Sequence, residues 1–225
     1  LLIMQNDDGL SLKQVSRTFR GEGRLIPVDL SLEIVIGAAE SLGLMHQESL
    51  PMAPHGQVNP SSLKLLPDGT VHVLRPPAED PKLAQWTPSP DFSMTQGTIE
   101  SVLSYLAPEQ LPEGAQAHIT AEPEGAGPHP APDHRADQFA LGLIGVAMLI
   151  GRPVYDAPTL TLMGEQVKAA EVRPALARVE APFPALFPVL AKALSLDPEG
   201  RYPTMEDLAS DLRPLAADAV PSDIT

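Results

Sequence analysis

The sequence contains no cysteine. This excludes a disulfide framework and any thiolate metal site and suits a reducing compartment, so a cytoplasmic location is expected. Positive charge is scarce as well: 15 Lys and Arg stand against 29 Asp and Glu, for a net charge of −14. That balance argues against nucleic acid or an anionic membrane as the main partner and fits a solvated acidic surface or a basic protein partner. A long hydrophobic run is also missing. The longest candidate, Phe139 to Ile150, falls short of the ~18–20 apolar residues of a membrane span and reads as a buried helix. Leu1–Met4 has neither a basic flank nor a cleavage site, so no signal peptide is expected. Because the chain opens on Leu in the middle of an apolar run, it is expected to be a fragment of a longer polypeptide.

What is present suffices for a core. The chain has 225 residues, 43% of them hydrophobic, enough for one large domain or two small ones. After the turn cluster Gln5-Asn6-Asp7-Asp8-Gly9, residues Leu10–Phe19 are expected to form a short helix. Pro27-Val28-Asp29 leads into a long amphipathic helix. Its apolar residues Leu32, Val35, Ile36, Ala39 and Leu42 recur on one face of a 3.6-residue period, and Asp29 or Ser31 is the expected N-cap. Leu63–Leu66 and Val71–Leu74 flank Asp68-Gly69, a hairpin turn signal. Arg75–Leu106 and Gly114–Pro132 are Pro-rich and irregular, the second a solvent-exposed insertion. Asp137–Ile150 is apolar around nearly its whole circumference and so belongs at the centre. Leu186, Val189, Leu190, Ala193 and Leu194 form a further stripe. Thr204 with Asp207 reads as an N-cap before the last helix, and a frayed tail is expected from Pro214. His118, His129 and His134 lie in or near the insertion; the solvated-loop reading outweighs a metal site there.

The segment Met52-Ala53-Pro54-His55-Gly56-Gln57-Val58-Asn59-Pro60-Ser61-Ser62-Leu63 has the length and apolar frame of the H-R-D-x-K-P-x-N catalytic loop. Further on come Tyr105-Leu106-Ala107-Pro108-Glu109, Asp137-Gln138-Phe139-Ala140-Leu141-Gly142 and Asp197-Pro198-Glu199-Gly200-Arg201-Tyr202. In type, order and spacing these resemble the Y-[ML]-A-P-E, D-x-[WYF]-[SA]-[LF]-G and D-P-x-x-R-[YP] motifs of protein kinases. The chain therefore resembles the C-terminal lobe of a bacterial serine/threonine kinase of eukaryotic type, from Leu1 to about Leu212. The implied fold is mainly α: a kinase large lobe with a short β-hairpin and a Pro-rich, irregular activation-type segment. Residues 1–9 would be the last small-lobe strand and hinge remnant, 10–213 the lobe itself (75–106 the activation-type segment, 114–132 the insertion), and 214–225 a flexible tail.

The resemblance also implies where chemistry has been replaced. Gln57 stands for the loop aspartate, Asn59 for the lysine that neutralises the γ-phosphate, Ser62 for the metal-binding asparagine and Arg75 for the DFG aspartate. Gly56 replaces the loop arginine. No small-lobe glycine-rich loop, strand lysine or helix glutamate is found in the chain. Scaffold positions are retained: His55 as a backbone-bonding core residue, Asp137 as acceptor of catalytic-loop amides, Gly142 in the central helix, and Glu109 with Arg201 as a partly buried ion pair. From this split the expectation is a catalytically inactive pseudokinase, not an enzyme, with no cofactor and no metal, acting as a protein-interaction and regulatory scaffold. The alternative is a nucleotide-sensing pseudokinase or a degenerate group-transferase. Trp86, Phe92 and Met94 are the interaction candidates, and the expected partner is a protein such as an active kinase or a phosphothreonine-binding domain.

Overall fold

A computed structural model of the chain describes residues 9–48, 54–74, 103–111 and 133–219. Leu10–Ser11 forms a short strand, β1, and Leu12–Gly21 a helix, α1. The expected helix over Leu10–Phe19 thus begins two residues later. The reason is local: the Ser11 side chain accepts from the Gln14 amide while the Gln14 side chain accepts from the Ser11 amide, a reciprocal cap that sets the helix start. Helix α2, Val28–Glu48, carries the predicted apolar face, with Leu32, Val35, Ile36, Ala39 and Leu42 all buried. Neither Asp29 nor Ser31 is its cap. The Pro27 carbonyl accepts the first helical bond, from the Ser31 amide at 2.9 Å, so both expected cap residues lie inside the first turn.

Strands β2, Leu63–Leu65, and β3, Val71–Val73, form the hairpin, with Leu63 opposite Val73 and Leu65 opposite Val71. Gly69 takes φ 88° in its turn, and the Asp68 carboxylate accepts from the Thr70 amide and hydroxyl. Strand β1 pairs with β2, completing a three-stranded antiparallel sheet in the order β1-β2-β3.

Helix α3, Arg135–Ile150, is the predicted central helix, and 13 of its 16 residues are buried. Around it lie α2, α5 (Arg173–Glu180) and α6 (Phe187–Ala193), while α7 (Met205–Asp218) packs along α2. Helix α4 is Leu160–Lys168. Thr204 caps α7 in a reciprocal pair with Asp207, as its spacing predicts. A tail is expected from Pro214, but α7 continues through that proline to Asp218; residues 220–225 lie outside the described residues. The fold is that of a protein-kinase large lobe. Residues 1–8, the stretch 75–102 and the whole insertion 114–132 fall outside the described residues.

At Gly142 the central helix α3 packs tightly on the C-terminal end of α6. A Cβ there would stand 3.0 Å from Leu194 Cγ and 3.4 Å from Ala193 Cβ. Gly142→Ala therefore sets a helix-propensity gain of up to ~1 kcal/mol against overpacking of ~1–3 kcal/mol. The expected outcome in denaturant melts is a net loss of stability; a gain would mean that this contact relaxes freely.

A candidate functional site: the loop anchored on the central helix

The segment Pro54–Ser62 enters β2, and one buried carboxylate fixes its start. Asp137, in the first turn of α3 and 1% exposed, accepts the His55 amide on Oδ2 at 2.6 Å and the Gly56 amide on Oδ1 at 2.8 Å. His46, in the last turn of α2, supplies a third contact from Nε2 to Oδ2 at 2.8 Å. A buried carboxylate unsupported by donors would be strongly destabilising, so these three groups and Asp137 hold one another in place. Gly56 has φ 75°, a conformation that lets two successive amides converge on the same carboxylate.

His55 is buried and turned away from solvent chemistry. Its Nε2 donates to the Leu74 carbonyl at 2.8 Å, which leaves Nδ1 as acceptor for the Gln57 amide at 3.3 Å. Beyond it the loop bonds to itself. Asn59 Nδ2 donates to the Gln57 carbonyl, Asn59 Oδ1 accepts from the Ser61 amide, and the Ser62 hydroxyl donates to the Asn59 carbonyl while accepting the Asn59 amide. Both ends of the Asn59 amide and both roles of the Ser62 hydroxyl are thereby engaged with backbone. Gln110, in the short 3-10 turn Pro108–Gln110, donates to the Gly56 carbonyl at 2.8 Å and ties the motif Tyr105–Glu109 to the same loop.

The second half of the site is Arg201. Its side chain is fully buried, and all five guanidinium protons have acceptors. Two go to Glu109, at 2.6 and 3.0 Å; the others go to the carbonyls of Arg135, Ser195 and Leu196. The guanidinium also lies 4.7 Å from the centre of the Phe139 ring. Next to Asp137, Gln138 pairs both ends of its amide with the backbone of Tyr202. Three consecutive residues at the start of α3 thus face the loop, the Asp197–Tyr202 turn and the Arg201 side chain.

Among the predicted site residues, the structure brings together His55, Gln57, Asn59, Ser62, Glu109, Asp137 and Arg201, and places Gly142 one helical stretch away against α6. Arg75, Trp86, Phe92 and Met94 lie outside the described residues, as do His118 and His129. His134 is buried and donates from Nε2 to the Pro203 carbonyl. Among the described residues no group of three or more His, Asp or Glu could hold a metal ion, and no helix is long and apolar enough to cross a membrane. Three members of the site had no sequence signal: His46, Gln110 and Gln138. Gln110 and Gln138 sit at or beside motif residues and their amides bond distant backbone, whereas His46 lies outside every motif and meets the Asp137 carboxylate.

Anchored loop, central helix and Arg–Glu clamp together define the large-lobe frame of a protein kinase. The comparisons then fill in the kin. The chain is 26% identical over 212 residues to the serine/threonine-protein kinase PknB of Mycobacterium tuberculosis, covering 94% of this chain and 29% of that protein. It is 29% identical over 192 residues to PknE of the same organism, with 85% of this chain and 29% of that protein covered. The crystal structure of the M. tuberculosis PknI kinase domain superposes with a TM-score of 0.55 at 25% identity, over 92% of this chain and 63% of that domain. No family model matches the chain. The chain thus spans less than a third of the length of these curated relatives, and its homologues are bacterial serine/threonine kinases.

One expectation is corrected by this finding. The sequence reading held that the chain is no enzyme; the relatives are named protein kinases, an enzyme family, and replaced side chains at Gln57, Asn59, Ser62 and Arg75 do not demonstrate inactivity. The physical reason is that a loop's side chains report what that loop supplies, whereas groups for phosphoryl transfer can reach the reaction from other elements of a full-length protein.

The Arg201–Glu109 pair gives a direct test of the clamp. Glu109→Ala leaves a buried cation without its counter-ion and is expected to cost about 3–5 kcal/mol, and Arg201→Ala a similar amount. The double variant should fall clearly short of the sum in urea melts. Arg201→Lys should rescue little, because an ammonium cannot reproduce the five-donor fork. Strict additivity would remove the pair from the account.

Proposed function

We propose that this chain works as a protein-interaction and regulatory module on a kinase large lobe, within serine/threonine-kinase signalling. The observation that carries the reading is the bonding of the loop: Asn59 and Ser62 bond the loop's own backbone, and Asp137 locks its entry to α3. An arrangement that satisfies its polar groups internally is one built to hold a shape, and a held shape is what a partner recognises. The partner class is a protein, an active kinase or a phosphothreonine-reading domain. The sequence segment with Trp86, Phe92 and Met94 is the proposed contact, because large aromatic side chains dominate interface energetics. Ser89, Ser93, Thr95 and Thr98 nearby would offer hydroxyls to an active kinase, and a phosphate there would add charge-assisted hydrogen bonds.

A second reading has its own support. The relatives are named kinases, which favours nucleotide sensing or group transfer by the intact protein. Two measurements separate the readings. Affinity capture from the source cells with wild type and with Trp86→Ala plus Phe92→Ala should show loss of specific partners in the double variant; identical recovery would take the segment out of the interface. A thermal melt with ATP and Mg²⁺, followed by a phosphoryl-transfer assay on the full-length protein, supports the second reading if the midpoint rises and label is transferred.

A further inference from the structure

Two helices of this chain carry the same spacing with opposite charge. On α2, Glu33, Gly37, Glu40 and Leu44 recur at i, i+4, i+7 and i+11, one narrow stripe of the helix. Both carboxylates and Leu44 are exposed, and at 65% Leu44 is the most exposed large hydrophobic among the described residues. On α1, Lys13, Arg17 and Arg20 recur at i, i+4 and i+7, and all three are exposed. This clustering is notable in a chain of net charge −14, where four of the 15 Lys and Arg residues fall within residues 13–24.

The α2 stripe lines a groove of about 600 Å³ between α7 and the β2–β3 turn, with Thr70, His72, Ala216 and Ala217 on its sides. Arg213 is the one Lys or Arg in that lining, and Glu40 and Glu206 already hold it, at 2.8 Å each. Among the described residues, Glu33 meets no Lys or Arg within ion-pair distance, and Lys13, Arg17 and Arg20 meet no carboxylate. Three like charges on adjacent turns repel one another and destabilise α1 modestly. Its packing does not call for them, since Leu12, Val15 and Phe19 supply its core face.

We propose that the chain associates with a second copy of itself, the α1 stripe of one protomer docking antiparallel on the α2 stripe of the other. In that register Lys13 meets Glu40, Arg20 meets Glu33, and Arg17 crosses Gly37 between them. Each charged pair is seven residues apart, about 10.5 Å along its own helix, so the two repeats match. Gly37 is bare because a Cβ there would stand 3.1 Å from Val71, and the gap leaves room for the Arg17 stem. Leu10, 55% exposed and three residues before Lys13, falls at the same end as Leu44, four residues beyond Glu40. The contact is heterologous, since each protomer contributes a different patch. It is separate from the Trp86 segment proposed above, so either can fail without the other.

The test is sedimentation velocity on the full chain at about 0.15 M salt, where a Debye length of about 8 Å screens the repulsion between two net-negative chains. Wild type should gain mass with concentration between about 1 μM and 1 mM, the range of a small, transient interface. Lys13→Gln with Arg17→Gln and Arg20→Gln should raise the dissociation constant about tenfold or more, as should Glu33→Gln with Glu40→Gln. Each variant is checked for folding by its melt. Glu33→Gln alone, which breaks no ion pair within the chain, should weaken association about threefold and serves if the double variant unfolds. Arg173→Gln with Arg178→Gln on α5 should change nothing. The decisive sample is an equimolar mixture of the two neutralised variants. One keeps its acidic stripe and the other its basic stripe, so the mixture should recover association and stop at a dimer. Wild type that stays monomeric across the range overturns the proposal. So does undiminished association in either folded variant, an equal loss in the α5 control, or a mixture that stays monomeric or grows past a dimer.

Discussion

The structure depends on a single buried carboxylate. Asp137 has almost no access to water, so its charge is tolerable only while protein donors surround it. Those donors come from two places distant in sequence: His46 closes α2, and the amides of His55 and Gly56 open the loop. The constraint is mutual. The loop cannot leave without exposing the carboxylate to an apolar interior, and α3 cannot rotate without pulling the loop. Such groups mark where local folding preferences give way to a requirement of the whole.

From this point the remaining polar contacts follow the same logic. Gln138 is one residue on and about 100° around the helix, so it faces the turn of Tyr202 instead of the loop. Arg201 then reaches back to the Arg135 carbonyl and across to Glu109, tying the C-terminal turn to the Tyr105–Glu109 motif. Gln110 closes the circuit by holding the Gly56 carbonyl. Buried polar groups joined in this way are costly to break singly, which gives the lobe a defined geometry around a loop of neutral side chains.

Much of this frame was legible in the chain. The 3.6-residue stripe of Leu32–Leu42, the all-apolar run from Phe139, the Asp68-Gly69 turn and the Thr204 cap each act through nearest neighbours, and short-range rules read them. The spacing of Asp137, Glu109 and Arg201 was readable only through resemblance, because nothing local tells that a carboxylate at one position meets a guanidinium 92 residues away. His46, Gln110 and Gln138 were illegible for the same reason: an imidazole that meets a distant carboxylate and amides that bond distant backbone leave no periodic trace. The boundary errors have local causes, a side-chain cap at Ser11 and a carbonyl cap at Pro27. The step from replaced loop residues to absence of enzymatic activity went further than side-chain identity allows, and the kinase relatives correct it.

The central claim is that Asp137 holds the loop on α3. It is tested most directly by amide hydrogen exchange at His55 and Gly56 in wild type and in Asp137→Asn. An asparagine there offers one acceptor oxygen and turns an NH₂ donor toward one of the two amides, so the cost should be about 3 kcal/mol or more, concentrated at the loop. The account predicts that both amides exchange only with global unfolding in wild type and accelerate by orders of magnitude in the variant, beyond the change at α7 amides. Equal protection of the two amides in both proteins would contradict it.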